Sequence, residues 1–321
     1  MVKSCKVFIV MPAYNEAAHI AEVIRLVPPI VDKIIVVDDH SSDNTAEAAQ
    51  AGGDARVEVI SNQKNIGVGG ATIVGYRRAL EADVVVKIDA DGQMDPRAIG
   101  KLVKPIVHGE ADYTKGFRFH DRKTLRKMPK VRLIGNLGLS YLVKMASGYW
   151  NIFDPTNGFT AIHRSTLAML DLDNISQGYF FETDMLCNLY RVRAMVKDVL
   201  LPTHYGEEVS QVNLFKTLVQ FPGKLFCAYV KRIIWQYYVR DFSTFSLLFF
   251  VGWLLLLFGI IFGATEWYIN ASRGIVTTTG TVMISVVPLF LGFQMLLNAV
   301  LLDVNNVPRE PLQKGCTDDT P

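Results

Sequence analysis

Two aspartates stand two positions apart in the segment Asp89-Ala90-Asp91-Gly92-Gln93, directly after an apolar run. If the chain stays extended there, side chains at positions i and i+2 point to the same side, so both carboxylates can reach one cation. Gln93 adds a neutral oxygen at the next matching position. A set of oxygen ligands of this kind suits Mg²⁺ or Mn²⁺ that is also bound by phosphate oxygens. A turn with solvated acidic side chains explains the same residues, and the motif alone leaves both interpretations open.

A second acidic pair, Asp38-Asp39, also follows an apolar run and is continued by His40-Ser41-Ser42. If both acidic pairs line one crevice, four carboxylates lie close together. Such a cluster is unfavourable unless a cation or hydrogen-bond donors neutralise it. A metal-bound diphosphate is the simplest ligand that meets this requirement.

The elements that must position these acids alternate along the first part of the chain. Short β-branched runs without polar alternation, typical of buried parallel strands, occupy residues 7–11, 34–38, 57–61 and 84–89. Helical segments are expected between them, over residues 16–26, 45–51 and 71–81. A β-α-β-α order predicts an α/β fold with a mostly parallel sheet covered by helices, and such sheets bind ligands at the carboxyl ends of their strands. Further along, we expect a strand over residues 159–163 and a helix over residues 181–190.

Two other segments could contact phosphate. The loop Asn65-Ile66-Gly67-Val68-Gly69-Gly70 loosely resembles a phosphate-binding loop, but a tight loop that begins a helix explains it equally well. Between Arg118 and Arg132, seven basic residues stand against the single acid Asp121. A solvated face is the usual explanation of such a run, whereas in a membrane protein it can bind anionic headgroups or an anionic lipid substrate.

Hydropathy indicates a membrane protein. The chain of 321 residues is 50% hydrophobic, and residues 242–265 and 274–302 contain no Asp, Glu, Lys, Arg or His. Both runs exceed the roughly 20 residues that cross a bilayer, which favours two spans over two buried core helices. Before them, residues 212–239 resemble two amphipathic interfacial helices separated at Pro222-Gly223. The small net charge of +2 argues against a protein that binds nucleic acid through bulk charge.

Charge and cysteine usage indicate the compartment. Basic residues without acids over residues 216–240 place the N-terminal part in the cytosol by the positive-inside rule, and unpaired cysteine spacing favours reduced thiols. We therefore expect a catalytic domain over residues 1–211, juxtamembrane helices over 212–241, two spans with a short non-cytosolic loop over 242–302, and a cytosolic tail over 303–321. The glycines Gly252, Gly259 and Gly263 make a homo-oligomer through the spans plausible.

Taken together, these motifs resemble glycosyltransferase family 2, with the GT-A fold, and its dolichyl-phosphate mannose synthase-like, polyprenyl-phosphate branch. Residues 11–16 (MPAYNE) resemble the nucleotide-binding opening of this family, residues 37–45 (VDDHSSDNT) its second motif, and residues 89–93 (DADGQ) its metal motif. Residues 154–159 (DPTNGF) resemble the acceptor-side motif. The chain departs from the family pattern at residues 205–211, where relatives have an arginine followed by Ser-Lys.

The resemblance implies roles for particular residues. Those implied to bind the nucleotide sugar are Pro12, Tyr14, Glu16, Asp39, Asp89 and Asp184. Those implied to hold Mg²⁺ or Mn²⁺ are Asp89, Asp91 and Gln93, and those implied to hold the acceptor phosphate are Arg118, Arg132 and Asn136. Asp91, Asp154, Arg118 and Arg132 are the implied catalytic residues, with Asp154 either a base or a sugar contact. Asp184 and Asn136 could instead form hydrogen bonds within the fold.

The implied reaction is inverting transfer of a hexose from a nucleoside-diphosphate sugar to undecaprenyl or dolichyl phosphate at the cytosolic membrane face. A phosphate monoester has a second pKa near ~6, so the acceptor is already a nucleophile at neutral pH. One alternative is a processive polysaccharide synthase, although the chain has no Gln-x-x-Arg-Trp motif and two spans do not readily form a polymer channel. The other is a non-catalytic membrane protein that binds nucleotide sugars. The sequence does not identify the sugar or the nucleotide.

Overall fold

A computed structural model describes residues 5–117, 130–201 and 214–313, without side-chain positions for residues 130–134, 136 and 214–220. Arg118 therefore lies outside the described residues. Arg132 and Asn136 lie on a described helix, but their side chains do not belong to the described part. The chain divides into two compact units, Met1–Tyr229 with Pro308–Pro321 and Val230–Val307.

Within the described residues of the first unit, seven strands form one sheet in the order β3-β2-β1-β4-β6-β5-β7. The strands are β1 (Val7–Ala13), β2 (Lys33–Asp38), β3 (Val57–Ser61), β4 (Val84–Lys87), β5 (Tyr113–Phe117), β6 (Thr160–His163) and β7 (Val196–Leu200). β6 is antiparallel to β4 and β5, and the other pairs are parallel. The predicted α/β fold with a mostly parallel sheet is confirmed.

Helices cover the sheet and fill the connections between its strands. They are α1 (Ile20–Arg25), α2 (Thr45–Ala51), α3 (Gly67–Arg78), α4 (Ile99–Val107), α5 (Lys130–Ser147), α6 (Arg164–Ala168) and α7 (Phe181–Arg191). Strands β1 and β2 run side by side with Ile9 opposite Ile34 and Val10 opposite Ile35, and none of these four side chains is exposed. The apolar runs therefore form central strands because both of their faces are covered.

The boundaries of two elements differ from the prediction in ways that affect the acidic motifs. β1 continues to Ala13, which pairs with Asp38, so the loops after β1 and β2 leave the sheet at the same level. β4 ends at Lys87 rather than at Asp89, and Ala90 and Asp91 form a turn. The extended spacing assumed for Asp89 and Asp91 is therefore wrong, because the chain turns before it reaches the second acid.

The last described residues fold back onto the first unit. The buried carboxylate of Asp112, before β5, accepts hydrogen bonds from the backbone N–H groups of Leu312 (2.9 Å), Gln313 (3.0 Å) and Met195 (2.7 Å). The Gln313 side chain donates to the carbonyl oxygens of Ile106 and Ala111 at 2.8 and 3.0 Å. We call residues 308–313 the C-terminal strap; it completes the surface of the sheet domain rather than extending into solvent.

The helix α8 (Leu214–Ile234) leads from the first unit into the second, and a π-helical turn follows at Trp235–Arg240. The predicted break at Pro222-Gly223 is wrong, because α8 continues through Pro222. A proline within a helix removes one backbone hydrogen bond, and the bonds of the adjacent turns can carry the helix past it. The side chains of Phe226, Ile234 and Trp235 are exposed, as expected for a helix with an apolar surface.

The second unit contains two long helices, α9 (Thr244–Ser272) and α10 (Thr279–Asn305), which match the two predicted spans. Their most apolar windows have mean hydropathies of 2.6 and 2.0, and only 22% and 11% of those windows are buried. Core helices of a soluble protein would be mostly buried. Both helices are therefore long and apolar enough to cross a membrane, and their exposed side chains suit contact with lipid.

Glycines bring the backbones of these two helices close together. A Cβ atom at Gly292 would lie 2.6 Å from the carbonyl oxygen of Gly252, and one at Gly259 would lie 2.7 Å from the carbonyl oxygen of Ser285. The Ser285 hydroxyl donates to the Gly259 carbonyl at 2.8 Å. The glycines that the sequence analysis assigned to contacts between copies of the protein thus lie at the contact between α9 and α10 of one chain. Small residues of this kind allow helices to approach closely in lipid.

A buried ion pair closes the end of this hairpin. The Arg232 guanidinium donates to both carboxylate oxygens of Asp303, at 2.7 and 2.9 Å, and the Tyr237 hydroxyl donates to the same carboxylate at 2.6 Å. Both charged side chains are almost fully buried. A paired arrangement of this kind is the form in which charges are tolerated away from water.

We predict that Gly292→Leu destabilises the second unit. The added side chain has no space beside the Gly252 carbonyl and the backbone of Leu256, so the helices must separate, at a cost of about 1–3 kcal/mol or more. Thermal unfolding of the detergent-solubilised protein measures the effect. Gly280→Leu is the matched control, since a Cβ at Gly280 has only the Thr278 hydroxyl nearby, at 3.9 Å. Equal midpoints for the two variants would contradict the close packing.

Candidate functional site

The loops after β1 and β2 are joined by hydrogen bonds at the carboxyl edge of the sheet. The side-chain oxygen of Asn15 accepts from the backbone N–H of Ser42 at 2.8 Å, and the Asn15 N–H donates to the Ser41 hydroxyl at 2.9 Å. The Glu16 N–H donates to the Thr45 hydroxyl at 2.8 Å. Asn15 has a φ of 58°, a left-handed conformation that asparagine tolerates better than most residues. The helix that the sequence predicts from residue 16 begins only at Ile20, after these bonded loop residues.

The structure brings several of the residues implied in nucleotide binding to these joined loops. Pro12 is buried within β1, whereas Tyr14 is half exposed and Glu16 is partly exposed. The side chains of Tyr14 and Glu16 can therefore meet a ligand, while Pro12 shapes the strand end. Their binding roles stay predictions.

Asp39 has a different environment from the open crevice that the sequence suggested. Its carboxylate is 3% exposed and accepts from the Asn62 side chain at 2.9 Å, from the Ile66 N–H at 3.0 Å and from the Gly67 N–H at 2.7 Å. Because the last two donors are at the N-terminal end of α3, Asp39 caps this helix from another loop. A hydrogen-bonded, buried carboxylate can orient the loop 62–67 toward a ligand. Its direct contact with a nucleotide stays a prediction.

The glycine-rich segment has a packing function in this structure. A Cβ atom at Gly69 would lie 2.6 Å from the carbonyl oxygen of Ser176, and one at Gly67 would lie 2.8 Å from that of Gln177. The Gly70 N–H donates to the Gln177 carbonyl at 2.9 Å. The helix α3 begins at Gly67, as a tight loop that begins a helix predicts, and these contacts show that the loop before α7 packs on the start of this helix.

The predicted metal-binding acids occupy the loop after β4. Asp89 is 28% exposed and forms an ion pair with the nearly buried Lys87, with 2.9 Å between Lys87 Nζ and Asp89 Oδ1. Asp91 Oδ1 accepts from the Gln93 N–H at 3.0 Å, within a turn in which Gly92 has a φ of 73°. Across residues 5–117, 130–201 and 214–313, no group of three His, Cys, Asp or Glu side chains is close enough to hold a metal ion by itself. The metal-binding role of Asp89, Asp91 and Gln93 stays a prediction.

Three charged residues next to this loop were missed by the sequence analysis. Glu182 lies in the first turn of α7, with Oε1 3.0 Å from Lys87 Nζ and Oε2 3.2 Å from Lys115 Nζ. The two lysine side chains are 2% and 0% exposed. The sequence did contain a signal for this cluster, namely a lysine within each of two strands, Lys87 in β4 and Lys115 in β5. A buried ammonium group requires a carboxylate partner, so each lysine predicts a buried acid nearby.

The ionisation of these groups follows from their pairing. Burial opposes the charge of Lys87, but the carboxylates of Asp89 and Glu182 outweigh burial and raise the pKa of Lys87. Burial acts to raise the pKa of Glu182, but the ammonium groups of Lys87 and Lys115 outweigh it and hold this pKa below its usual value. Lys87 and Glu182 are therefore both charged at neutral pH.

The segment Asp154-Pro155-Thr156-Asn157-Gly158 is fixed beside the same charges. Lys115 Nζ donates to the carbonyl oxygen of Asn157, and Lys87 Nζ lies 3.4 Å from that of Gly158. A Cβ atom at Gly158 would lie 2.7 Å from Lys87 Nζ and 2.8 Å from Asp89 Oδ2, so any larger residue would displace this ion pair. Asp154 is 2% exposed and accepts from the Thr156 hydroxyl at 3.2 Å. The structure thus brings the acceptor-side and metal motifs together, and the catalytic role of Asp154 stays a prediction.

Asp184, the other acid of the first turn of α7, has different contacts from Glu182. Its carboxylate accepts from the Ser176 N–H and from the Ser176 hydroxyl, both at 2.8 Å. Asp184 thus fixes the loop that packs on Gly67 and Gly69. The alternative interpretation of this residue, a hydrogen bond within the fold, describes these contacts, and its binding of nucleotide sugar stays a prediction.

A further acid, Asp198 on β7, supports the start of this segment. Its carboxylate accepts from the Phe153 N–H at 2.5 Å. Burial raises the pKa of Asp198 to about 6, and the nearby charge of Asp154 acts in the same direction, against the opposing effects of Lys115 and Lys144. Asp198 therefore changes its charge near neutral pH, next to the acceptor-side motif.

Comparison with known families matches residues 8–170 to the family described as glycosyl transferase family 2. The chain is 32% identical over 218 residues to a UDP-N-acetylglucosamine–dolichyl-phosphate N-acetylglucosaminyltransferase of Methanococcus voltae, covering 63% of this chain and 86% of that protein. It is 31% identical over 201 residues to an undecaprenyl-phosphate mannosyltransferase of Micrococcus luteus, covering 60% and 82%.

Solved structures share the fold. A glucosyl-3-phosphoglycerate synthase from Mycobacterium tuberculosis in complex with UDP matches with a TM-score of 0.53 and 23% identity, over 71% of this chain and 80% of that one. The same enzyme with Mn²⁺, UDP and phosphoglyceric acid matches with a TM-score of 0.51 and 22% identity, over 71% and 78%. This likeness confirms the GT-A-type fold expected for the first unit.

We predict that the stability of the protein depends on pH through Asp198. The folded-state pKa of about 6 exceeds the ordinary value of 3.8, so the folded state binds this proton more tightly. The contribution is present below about pH 4 and is lost as the pH rises through about 6, by on the order of 3 kcal/mol. Asp198→Asn keeps an acceptor for Phe153 and removes this loss. Unfolding midpoints of both proteins measured from pH 4 to pH 7 test the prediction, and curves that stay parallel would contradict it.

Proposed function

Because the chain belongs to glycosyl transferase family 2, we propose that it transfers a hexose from a nucleoside-diphosphate sugar to the phosphate of a polyprenol, with inversion at the anomeric carbon. One observation carries this proposal. Lys87 contacts both Asp89, in the acidic loop after β4, and the Gly158 carbonyl oxygen, in the segment 154–158. These two segments lie at the same edge of the sheet as the joined loops after β1 and β2. Relatives that transfer sugars to dolichyl or undecaprenyl phosphate support the choice of acceptor.

The donor would bind at the loops after β1, β2 and β4. Asp89 and Asp91 offer carboxylate oxygens and Gln93 offers an amide oxygen, which are the ligand types that Mg²⁺ and Mn²⁺ prefer, and diphosphate oxygens of the donor would complete the coordination. When bound, such an ion would stabilise the negative charge of the leaving diphosphate. Tyr14, Glu16 and Asp39 would orient the base and the ribose, and Asp184 would act through the loop at Ser176.

The acceptor phosphate would be held by Arg118, Arg132 and Asn136, in the basic region that begins after β5. Its phosphate is largely dianionic at neutral pH and attacks without a strong general base. Attack of one nucleophile opposite the leaving group inverts the anomeric centre. The buried Asp154 would then orient the sugar or the acceptor-side segment rather than remove a proton, and Asp154→Asn with near-normal turnover would be consistent with this assignment.

We place the protein in the membrane with its first unit in the cytosol. The C-terminal strap belongs to the same compact unit as the sheet, so two crossings by α9 and α10 return the chain to the side from which it started. Lys216, Lys224, Lys231 and Arg240 precede α9 with no acidic residue between them, whereas the chain between the two apolar runs carries only the charges of Glu266 and Arg273. This distribution favours a cytosolic first unit. Membrane attachment would keep the active site near a lipid acceptor.

The proposed function predicts a metal-dependent glycolipid product. The purified protein is incubated with a panel of radiolabelled nucleotide sugars, Mn²⁺ or Mg²⁺, and undecaprenyl or dolichyl phosphate. We expect an acid-labile labelled lipid with one donor, and a loss of about 10²-fold or more in rate for Asp91→Ala. The exposed Asp173→Asn is the control.

Two results would overturn this proposal. A labelled polymer in place of the glycolipid would indicate a processive synthase. Nucleotide-sugar binding without any product would indicate a binding protein.

A further inference from the structure

Four charged side chains form a continuous series beside the proposed donor site. The ammonium of Lys115 contacts Glu182, Glu182 contacts Lys87, and Lys87 contacts Asp89, with N···O distances of 3.2, 3.0 and 2.9 Å. The two lysines are buried, Glu182 is 14% exposed and Asp89 is the most exposed member. The two positive and two negative charges balance, and the exposure is greatest at the end of the series occupied by Asp89.

Each lysine also holds the acceptor-side segment. Lys115 Nζ donates to the Asn157 carbonyl oxygen, and Lys87 Nζ lies 3.4 Å from the Gly158 carbonyl oxygen. Glu182 is the shared partner of the two lysines, and it comes from α7, a different element from the strands that carry them. One carboxylate therefore connects a helix, two strands and the segment that leads into β6.

We propose that Glu182 is a positioning residue that, through Lys87 and Lys115, fixes Asp89 and the segment Asn157-Gly158 as one side of the donor site. This inference rests on the proposed function, in which Asp89 faces a divalent cation and a diphosphate. Glu182 supplies the negative charge that lets Lys87 divide its contacts between two carboxylates. Without that charge, Lys87 depends on Asp89 alone, and Asp89 becomes a poorer ligand for a cation.

Glu182→Gln tests this inference because it keeps the size of the side chain and removes its charge. We expect binding of Mn²⁺ in the presence of UDP, measured by electron paramagnetic resonance of free Mn²⁺, to weaken about tenfold, as is typical when a residue that orients a metal ligand is changed. Binding within twofold of the wild-type value would overturn the proposal.

A double variant separates charge balance from the shape of the pocket. Glu182→Gln combined with Lys87→Met removes one buried charge of each sign and takes away the ammonium group that competes with a cation for Asp89. We expect this variant to bind Mn²⁺ and UDP more tightly than Glu182→Gln alone, recovering at least about threefold, because interacting charges give non-additive effects. A double variant that binds no better than the single one would overturn the proposed electrostatic link.

Asp112→Asn is the control for a purely structural loss. It changes another buried carboxylate of the same unit, one that contacts backbone N–H groups of the C-terminal strap and of Met195. We expect it to lower the unfolding midpoint while leaving Mn²⁺ binding unchanged. Equal weakening of Mn²⁺ binding in Asp112→Asn and Glu182→Gln would show that the effect comes from lost stability and would overturn the positioning role.

The same measurements distinguish failure of this inference from failure of the proposed function. A wild-type protein that binds Mn²⁺ with UDP but yields no glycolipid contradicts the proposed reaction alone, and the variants still decide the role of Glu182. A wild-type protein that forms glycolipid, together with unchanged Mn²⁺ binding by Glu182→Gln, contradicts the positioning role alone.

Discussion

Two lysine ammonium groups inside the sheet impose the constraint on which the candidate site depends. Lys87 and Lys115 lie on strands whose faces are covered, and a buried charge without a partner is strongly unfavourable. Glu182 meets this requirement for both and thereby ties α7 to the sheet. Because Asp89 and the carbonyl groups of Asn157 and Gly158 complete the coordination of the same lysines, the folding of the core and the arrangement of the site follow from one set of contacts.

The remaining loops of the site are held by backbone hydrogen bonds rather than by charge pairs. Asn15 joins the loops after β1 and β2, and Asp39 joins the second of these to the start of α3. Gly67 and Gly69 then allow the loop that Asp184 fixes to approach α3 closely. Hydrogen bonds thus connect the loops after β1 and β2, the start of α3 and the loop before α7 in series, and they fix the polar side chains at this edge of the sheet.

The second unit uses the same physical principles in an apolar setting. Close backbone contact at Gly252, Gly259 and Gly292 packs α9 against α10. In the membrane location that we propose, such contact replaces hydrophobic burial as the source of attraction, since lipid is as apolar as the side chains. The charged pair Arg232–Asp303 is retained where both members are buried together. The C-terminal strap then returns to Asp112 in the first unit, so the chain before and after the hairpin belongs to one folded body.

The sequence by itself determined the α/β order, the central strands, the two apolar helices and the family, because these depend on local periodicity and on short motifs. It placed Asp89 next to a strand end, but it could not show that the strand stops at Lys87. It also favoured Asp184 over Glu182 on the same helix, and it associated the span glycines with oligomers. Only the tertiary structure shows where β4 stops, which lysines Glu182 contacts and which backbone the span glycines approach, because the partner of a buried charge or of a small residue lies far away along the chain. Local pattern carries no information about which distant element will cover it.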